Sequence, residues 1–213
     1  MELKGKKILF LGDSITEGCG ASDVSKCFVS LIAEREEATC VNYGIGGTRI
    51  ARQTTPSAEA RWDLDYISRV PGMDAEADAV VVFGGTNDYG HATIPLGTFE
   101  DRDIHTFYGG MHTLCLYLIK NYTDKEIVFM TPLHRLQEVK LENDVSRPLH
   151  EFVKAIREVC EYYSIPVCDM YKESGMYGNV WAWCEKYMPD GLHPNDEGHK
   201  LIARKLQKFL ENL

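Results

Sequence analysis

Four short segments of this chain carry residue types that act together on a carbonyl or phosphoryl centre. They are Gly12-Asp13-Ser14-Ile15-Thr16, Asn42-Tyr43-Gly44-Ile45-Gly46-Gly47-Thr48, Gly84-Gly85-Thr86-Asn87-Asp88 and Asp190-Gly191-Leu192-His193. A serine hydroxyl is a weak nucleophile until a base removes its proton, and histidine, which titrates near neutral pH, suits that task. A carboxylate beside the imidazole orients it and stabilises its charged form. Glycines let backbone N–H groups approach a ligand closely, and an asparagine amide adds a donor. Each segment alone has a plainer explanation: Asp13 or Ser14 caps a helix, Asn87 stabilises a turn, and Asp190 to His193 is a surface turn. The second segment also suggests a phosphate loop, but a G-x-G-x-x-G starting at Gly44 needs glycine where Arg49 stands. What favours catalysis is that nucleophile, base, carboxylate and anion-stabilising donors occur together.

Elements that can bring these segments to one place are visible in the hydrophobic pattern. Short apolar runs predict strands over Lys7–Leu11, Thr39–Tyr43, Ala79–Phe83, Glu126–Thr131 and Pro166–Met170, each readable as buried on both faces. Helical spacing links Phe28, Leu31 and Ile32, and less regularly Trp62, Leu64, Tyr66 and Ile67. It is clearest through Phe107, Met111, Leu114, Cys115, Leu118 and Ile119. Two further stripes run from Leu149 to Cys160 and from Leu201 to Leu210, the latter with Asn195 as N-cap. Alternating strands and helices predict an α/β domain with a parallel sheet. Ligands of open parallel sheets bind outside the carboxyl ends of the strands, where all four segments fall. The irregular stretches Tyr89–Arg102, Pro132–Asn143 and Tyr171–Pro189 follow strand ends and border the same edge.

Composition narrows the function. The chain has 213 residues and a formal charge of −9, with no Lys/Arg-rich block, which disfavours nucleic acid as a partner. One domain over residues 1–213 is expected. The apolar run Ile8-Leu9-Phe10-Leu11 is too short for a signal peptide and nothing later is long enough for a membrane span, so a cytoplasmic location is expected. The 7 cysteines lack C-x-x-C spacing and read as reduced thiols. The remaining histidines show no metal-ligand spacing.

The four segments, in this order and across nearly the whole chain, resemble those of the SGNH hydrolases, also called GDSL esterases and lipases. The resemblance implies a flavodoxin-like three-layer α/β/α fold with a five-stranded parallel sheet in the order 2-1-3-4-5. It further implies that Ser14 is the nucleophile, that Asp190 and His193 complete a catalytic triad, and that the Ser14 and Gly47 N–H groups with the Asn87 amide form the oxyanion hole. The G-x-S-x-G elbow of a different hydrolase fold is absent, since Thr16 stands at its second glycine. The activity implied is hydrolysis of a carboxylic ester through an acyl-enzyme, with no metal or organic cofactor. The expected substrate is a small-molecule ester, a short acyl group such as acetyl on a polar alcohol such as a carbohydrate. Candidate substrate contacts are Asp13, Arg49, His134 and Trp181, the last within an aromatic stretch that also holds Tyr177, Trp183 and Tyr187. Alternatives of the same fold are a lysophospholipase or a thioesterase, and of another class a noncatalytic ligand-binding protein. A phosphoryl-transfer enzyme lacks support, because no Walker lysine follows a glycine loop.

Overall fold

The computed structural model describes residues 1–213. Five strands, β1 (Lys7–Gly12), β2 (Thr39–Gly44), β3 (Ala79–Phe83), β4 (Glu126–Met130) and β5 (Val167–Cys168), form one sheet in the order β2-β1-β3-β4-β5. Every adjacent pair is parallel. Side chains alternate faces along a strand, and the apolar runs therefore supply two cores. Leu9, Leu11, Val80, Val82 and Phe129 point to one face, covered by α5 (Phe107–Asn121) and α6 (Leu149–Tyr162). Ile8, Phe10, Val81, Phe83 and Met130 point to the other, covered by α2 (Phe28–Glu36) and α9 (Asp196–Glu211). The result is the three-layer α/β/α arrangement and strand order expected from the family resemblance.

Helix boundaries follow local chemistry. Asn195 caps α9, its side-chain oxygen accepting from the Glu197 and Gly198 N–H groups at 3.1 Å, as the sequence suggests. Thr106 caps α5 by accepting from Gly109 N–H. Core side chains such as Phe107 and Phe152 are essentially inaccessible and meet edge to face at 4.9 Å. Burial of each such ring contributes roughly 1.5–3 kcal/mol.

Three expectations need correction. The β2 run, read as buried on both faces, is half-exposed, because β2 is an edge strand. The fifth strand spans only Val167–Cys168, because Asp169 caps a helical turn that begins at Met170 and ends the extended run. The stretch 171–189, read as irregular, contains α8 (Trp181–Tyr187), anchored by the buried Cys184.

Parallel pairing gives all strands one direction, so the segments after β1, β2, β3 and β4 emerge at one edge. Ser14 begins α1 (Ser14–Glu17), directly after β1. The Gly46-Gly47 loop follows β2, and Asn87 lies in the first turn of the short α4 (Thr86–Gly90) after β3.

Candidate active site

Ser14 is positioned by the tight passage from β1 into α1. Asp13 caps this one-turn helix, its Oδ1 accepting from the Ile15 N–H at 3.0 Å. The plainer sequence explanation for Asp13 therefore holds, and its carboxyl is directed into the protein and 2% exposed. Burial raises its pKa to about 6, against the opposing effects of the Ile15 N–H and the nearby His193 and Arg69 side chains.

The Ser14 Oγ and His193 Nε2 are 2.9 Å apart. On the far side of the ring, His193 Nδ1 is 2.6 Å from Asp190 Oδ2. The second oxygen, Oδ1, accepts from the backbone N–H groups of Leu192 at 2.8 Å and His193 at 2.7 Å. One carboxylate thus folds its own loop and orients the imidazole. Burial pushes the Asp190 carboxyl upward, yet the donors from His193 and Leu192 outweigh it and hold the pKa below the ordinary value of 3.8. Asp190 is ionised at neutral pH, and the ring hydrogen bond is charge-assisted.

The glycine loop lies against Ser14, a Cβ on Gly46 falling 3.5 Å from Ser14 Cβ, and Asn87 is bonded to that loop. Gly47 has φ +80, and a Cβ there would fall 2.0 Å from Trp62 Cδ1, so both its conformation and its packing require glycine. Glu17 fastens the loop: its Oε2 accepts from Gly46 N–H at 2.7 Å and its Oε1 from Arg61 at 2.6 Å. Asn87 is 7% exposed and donates from Nδ2 to the Thr48 carbonyl at 3.0 Å, which leaves its other amide hydrogen uncommitted. Behind the loop, Asp88 accepts from the Ile50 and Ala51 N–H groups at 3.0 and 2.9 Å, and complete burial lifts its pKa to about 6 despite these bonds.

The remaining sequence candidates fall elsewhere. Arg49 is 3% exposed and its guanidinium reaches Gln53 and Ser57, so it braces its own loop from within. His134 stacks on Tyr171 at 3.7 Å and its Nδ1 lies 2.9 Å from Glu138 Oε2. It borders a separate open cavity of about 570 Å³ with Arg157, Asp169 and Tyr177. Trp181 is 57% exposed on α8, its indole N–H donating to Glu185 at 2.7 Å, and it makes no hydrogen bond or ring contact with Ser14, Asp190 or His193. The aromatic side chains of this stretch pack mainly on one another, Trp183 against Tyr177 at 5.5 Å and Tyr187 at 5.3 Å. No group of three or more His, Cys, Asp or Glu side chains is arranged to hold a metal ion. All 7 cysteines are free thiols, most of them buried.

The structure adds residues whose role the sequence hides. Arg69 donates to the carbonyls of Tyr43 at 2.6 Å and Gly12 at 3.1 Å and to Thr48 Oγ1 at 3.1 Å, tying the ends of β1 and β2 to the glycine loop. Trp62 lies over Gly47 and packs on His91 at 5.0 Å. Burial, reinforced by the Arg49 charge, lowers the His91 pKa to about 4, so this second histidine is neutral. Arg135 reaches α4 from the β4 side through Thr86. None of these residues belongs to a motif; each is brought in by packing.

Fold and site together define a hydrolase of three-layer α/β/α architecture with a serine at the carboxyl edge of its first strand. The chain belongs to the GDSL-like lipase/acylhydrolase family, which matches residues 10–201. It is accordingly a carboxylic ester hydrolase. A solved structure from Lactobacillus plantarum is 30% identical, with a TM-score of 0.85 and 98% of each chain covered. A lipase/acylhydrolase from Enterococcus faecalis shares the fold at 23% identity and TM-score 0.68, covering 97% of this chain and 96% of that one. An acetylxylan esterase of Geobacillus stearothermophilus is 23% identical over 216 residues, covering 94% of this chain and 91% of the relative. No helix is long and apolar enough to cross a membrane.

Proposed function

We propose that this enzyme hydrolyses short-acyl esters of a polar alcohol through an acyl-enzyme on Ser14. The observation that carries the reading is the unbroken chain of contacts from Ser14 Oγ to His193 Nε2 at 2.9 Å and from His193 Nδ1 to Asp190 Oδ2 at 2.6 Å. His193 takes the hydroxyl proton as Ser14 Oγ attacks the ester carbonyl, and the ionised Asp190 stabilises the imidazolium that results. The negative charge that develops on the carbonyl oxygen is met by N–H groups of Ser14 and Gly47 and the uncommitted Asn87 amide hydrogen. Such donors act mainly in the transition state, where losing one costs about 3–4 kcal/mol. His193 then passes its proton to the leaving alkoxide, and on return it activates the water that releases the acid.

Directionality follows from that proton transfer. The leaving oxygen must reach His193 Nε2, so the alcohol lies toward the Asp190–His193 loop and the acyl group toward Gly47. Trp62 and His91 cover the Gly47 side, which supports a short acyl group, because each further methylene gains up to about 0.8 kcal/mol only where an apolar channel receives it. The likeness to an acetylxylan esterase agrees with an acetylated carbohydrate as substrate. The experiment is labelling with a fluorophosphonate followed by peptide mass spectrometry. The adduct is expected on Ser14, and a folded enzyme that hydrolyses p-nitrophenyl acetate but carries the adduct elsewhere would overturn the assignment.

A further inference from the structure

Arg135 is a cation that the fold brings beside α4 with no hydrogen bond from its side chain to a carboxylate. Its Nη1 donates to the Thr86 carbonyl at 3.2 Å and to Thr86 Oγ1 at 3.1 Å, and these are its side chain's hydrogen bonds. A guanidinium has five donors, and Nε, which is buried, has no partner at all. The carboxylates that act on it from a distance, Asp13 and Asp190, are bonded to the Ile15 N–H and to His193, while Glu138 accepts from His134 and Glu142 from Lys140. The guanidinium sits 5.5 Å from the centre of the Tyr89 ring. Its terminal nitrogen packs directly over Gly90, where a Cβ would lie 2.7 Å from Arg135 Nη1 and would displace the guanidinium from this position. Leaving a half-buried cation unpaired costs stability unless a ligand supplies the missing anion.

The location relates this cation to one end of the substrate. Arg135 borders a polar cavity of about 70 Å³ with Gly90, Leu136, Gln137 and Lys140. Gly90 is three residues beyond Asn87 on α4, a separation of about 5 Å on a helix. The next residue, Leu136, donates its N–H to the Gly191 carbonyl at 2.9 Å, which joins this segment to the loop between Asp190 and His193. The cavity therefore borders α4, which carries Asn87, and a segment bonded to the Asp190–His193 loop, toward which the proposed reaction directs the alcohol.

We propose that Arg135 recognises a carboxylate on the alcohol part of the substrate, so that the preferred ester is a short-acyl derivative of an acidic sugar or hydroxy acid. This rests on Ser14 acting as the nucleophile. A planar guanidinium pairs with a carboxylate through two parallel N–H bonds. A phosphate dianion suits the site less, because its second negative charge adds to the repulsion from Glu142, which lines the same small cavity.

The test compares acetylated methyl glucuronoside with acetylated methyl glucoside as substrates. The wild-type kcat/KM ratio is expected to favour the acid about 10- to 100-fold, the range of a charge-assisted hydrogen bond. Arg135→Gln should bring the ratio close to unity, mainly through KM. Arg135→Lys should recover part of it, since an ammonium keeps the charge without the planar fork. An unchanged ratio in Arg135→Gln overturns the proposal. The wild-type enzyme supplies a second measurement that needs no variant: inhibition of p-nitrophenyl acetate hydrolysis by glucuronate, glucose and glucose 6-phosphate. Stronger inhibition by glucuronate supports Arg135 as a carboxylate site. Equal inhibition by glucose overturns it, and stronger inhibition by glucose 6-phosphate replaces carboxylate with phosphate. Failure of fluorophosphonate to label Ser14 would instead remove the acyl-enzyme reading itself.

Discussion

Replacing Asp190 with asparagine tests the site most directly, because the structure separates the two jobs of this carboxylate. Oδ1 accepts from the Leu192 and His193 N–H groups, and an asparagine carbonyl oxygen can do the same. The loop is expected to stay folded. Oδ2, 2.6 Å from His193 Nδ1, becomes an NH2 group that can only donate. The ring must then turn Nδ1 into an acceptor and carry its hydrogen on Nε2, where it can no longer accept the Ser14 proton. Loss of the charge-assisted bond is worth about 1.5–3 kcal/mol. The lower half of that range applies because the Asp190 side chain is 55% exposed and water screens it. This alone is about 13- to 45-fold in kcat. Reversing the tautomer adds a second factor, and the expected total is about 100- to 1000-fold, below the loss for His193→Ala, which removes the base entirely. Steady-state hydrolysis of p-nitrophenyl acetate from pH 5 to 9, with circular dichroism to verify folding, measures it. An Asp190→Asn enzyme within threefold of wild type across that range would refute the role given to Asp190.

Ser14→Ala should abolish fluorophosphonate labelling and ester turnover while shifting the melting temperature by no more than about 2 °C, a change that calorimetry resolves. Asn87→Ala should lower kcat about 100- to 1000-fold with little change in KM, and a pure rise in KM would mean that the amide binds the ground state equally well. Trp62→Ala should shift the acyl-length profile of p-nitrophenyl esters from acetate toward butyrate and hexanoate; an unchanged profile would remove Trp62 from the acyl wall. His199 is fully buried and burial lowers its pKa to about 4. Between about pH 6.5 and 4 the unfolded chain binds the proton that the folded one refuses, so this residue's contribution to stability falls as pH drops through that window. In urea unfolding, the deficit of His199→Gln relative to wild type should therefore shrink by about 2 kcal/mol from pH 7.5 to pH 5, and a constant deficit would refute the neutral assignment.

Much of this protein is legible in local pattern. The apolar runs at Ile8–Leu11, Ala79–Phe83 and Ile127–Met130 are strands because short β-branched and aromatic stretches buried on both sides have few other stable forms, and the sheet pairs them as expected. Glycines and turn residues after β1, β2 and β3 place Ser14, Gly47 and Asn87 at one edge as soon as the sheet is parallel. Asp190 and His193 are close in sequence, and their mutual contact is likewise a local feature. Tertiary structure decides which side chains from unrelated segments reach that edge and which are drawn away. Trp62 meets Gly47, and Arg69 ties two strand ends to the same loop. Arg135 arrives beside α4. Candidates near in sequence go the other way: Arg49 turns inward, Asp13 is consumed by its cap, and Trp181 faces solvent on a helix that no long periodic stripe announces. The physical reason is range. Strand formation, capping and turns depend on neighbours a few residues apart, whereas the direction of a long side chain depends on the space and charge left by segments tens of residues away, and those exist only once the layers have packed.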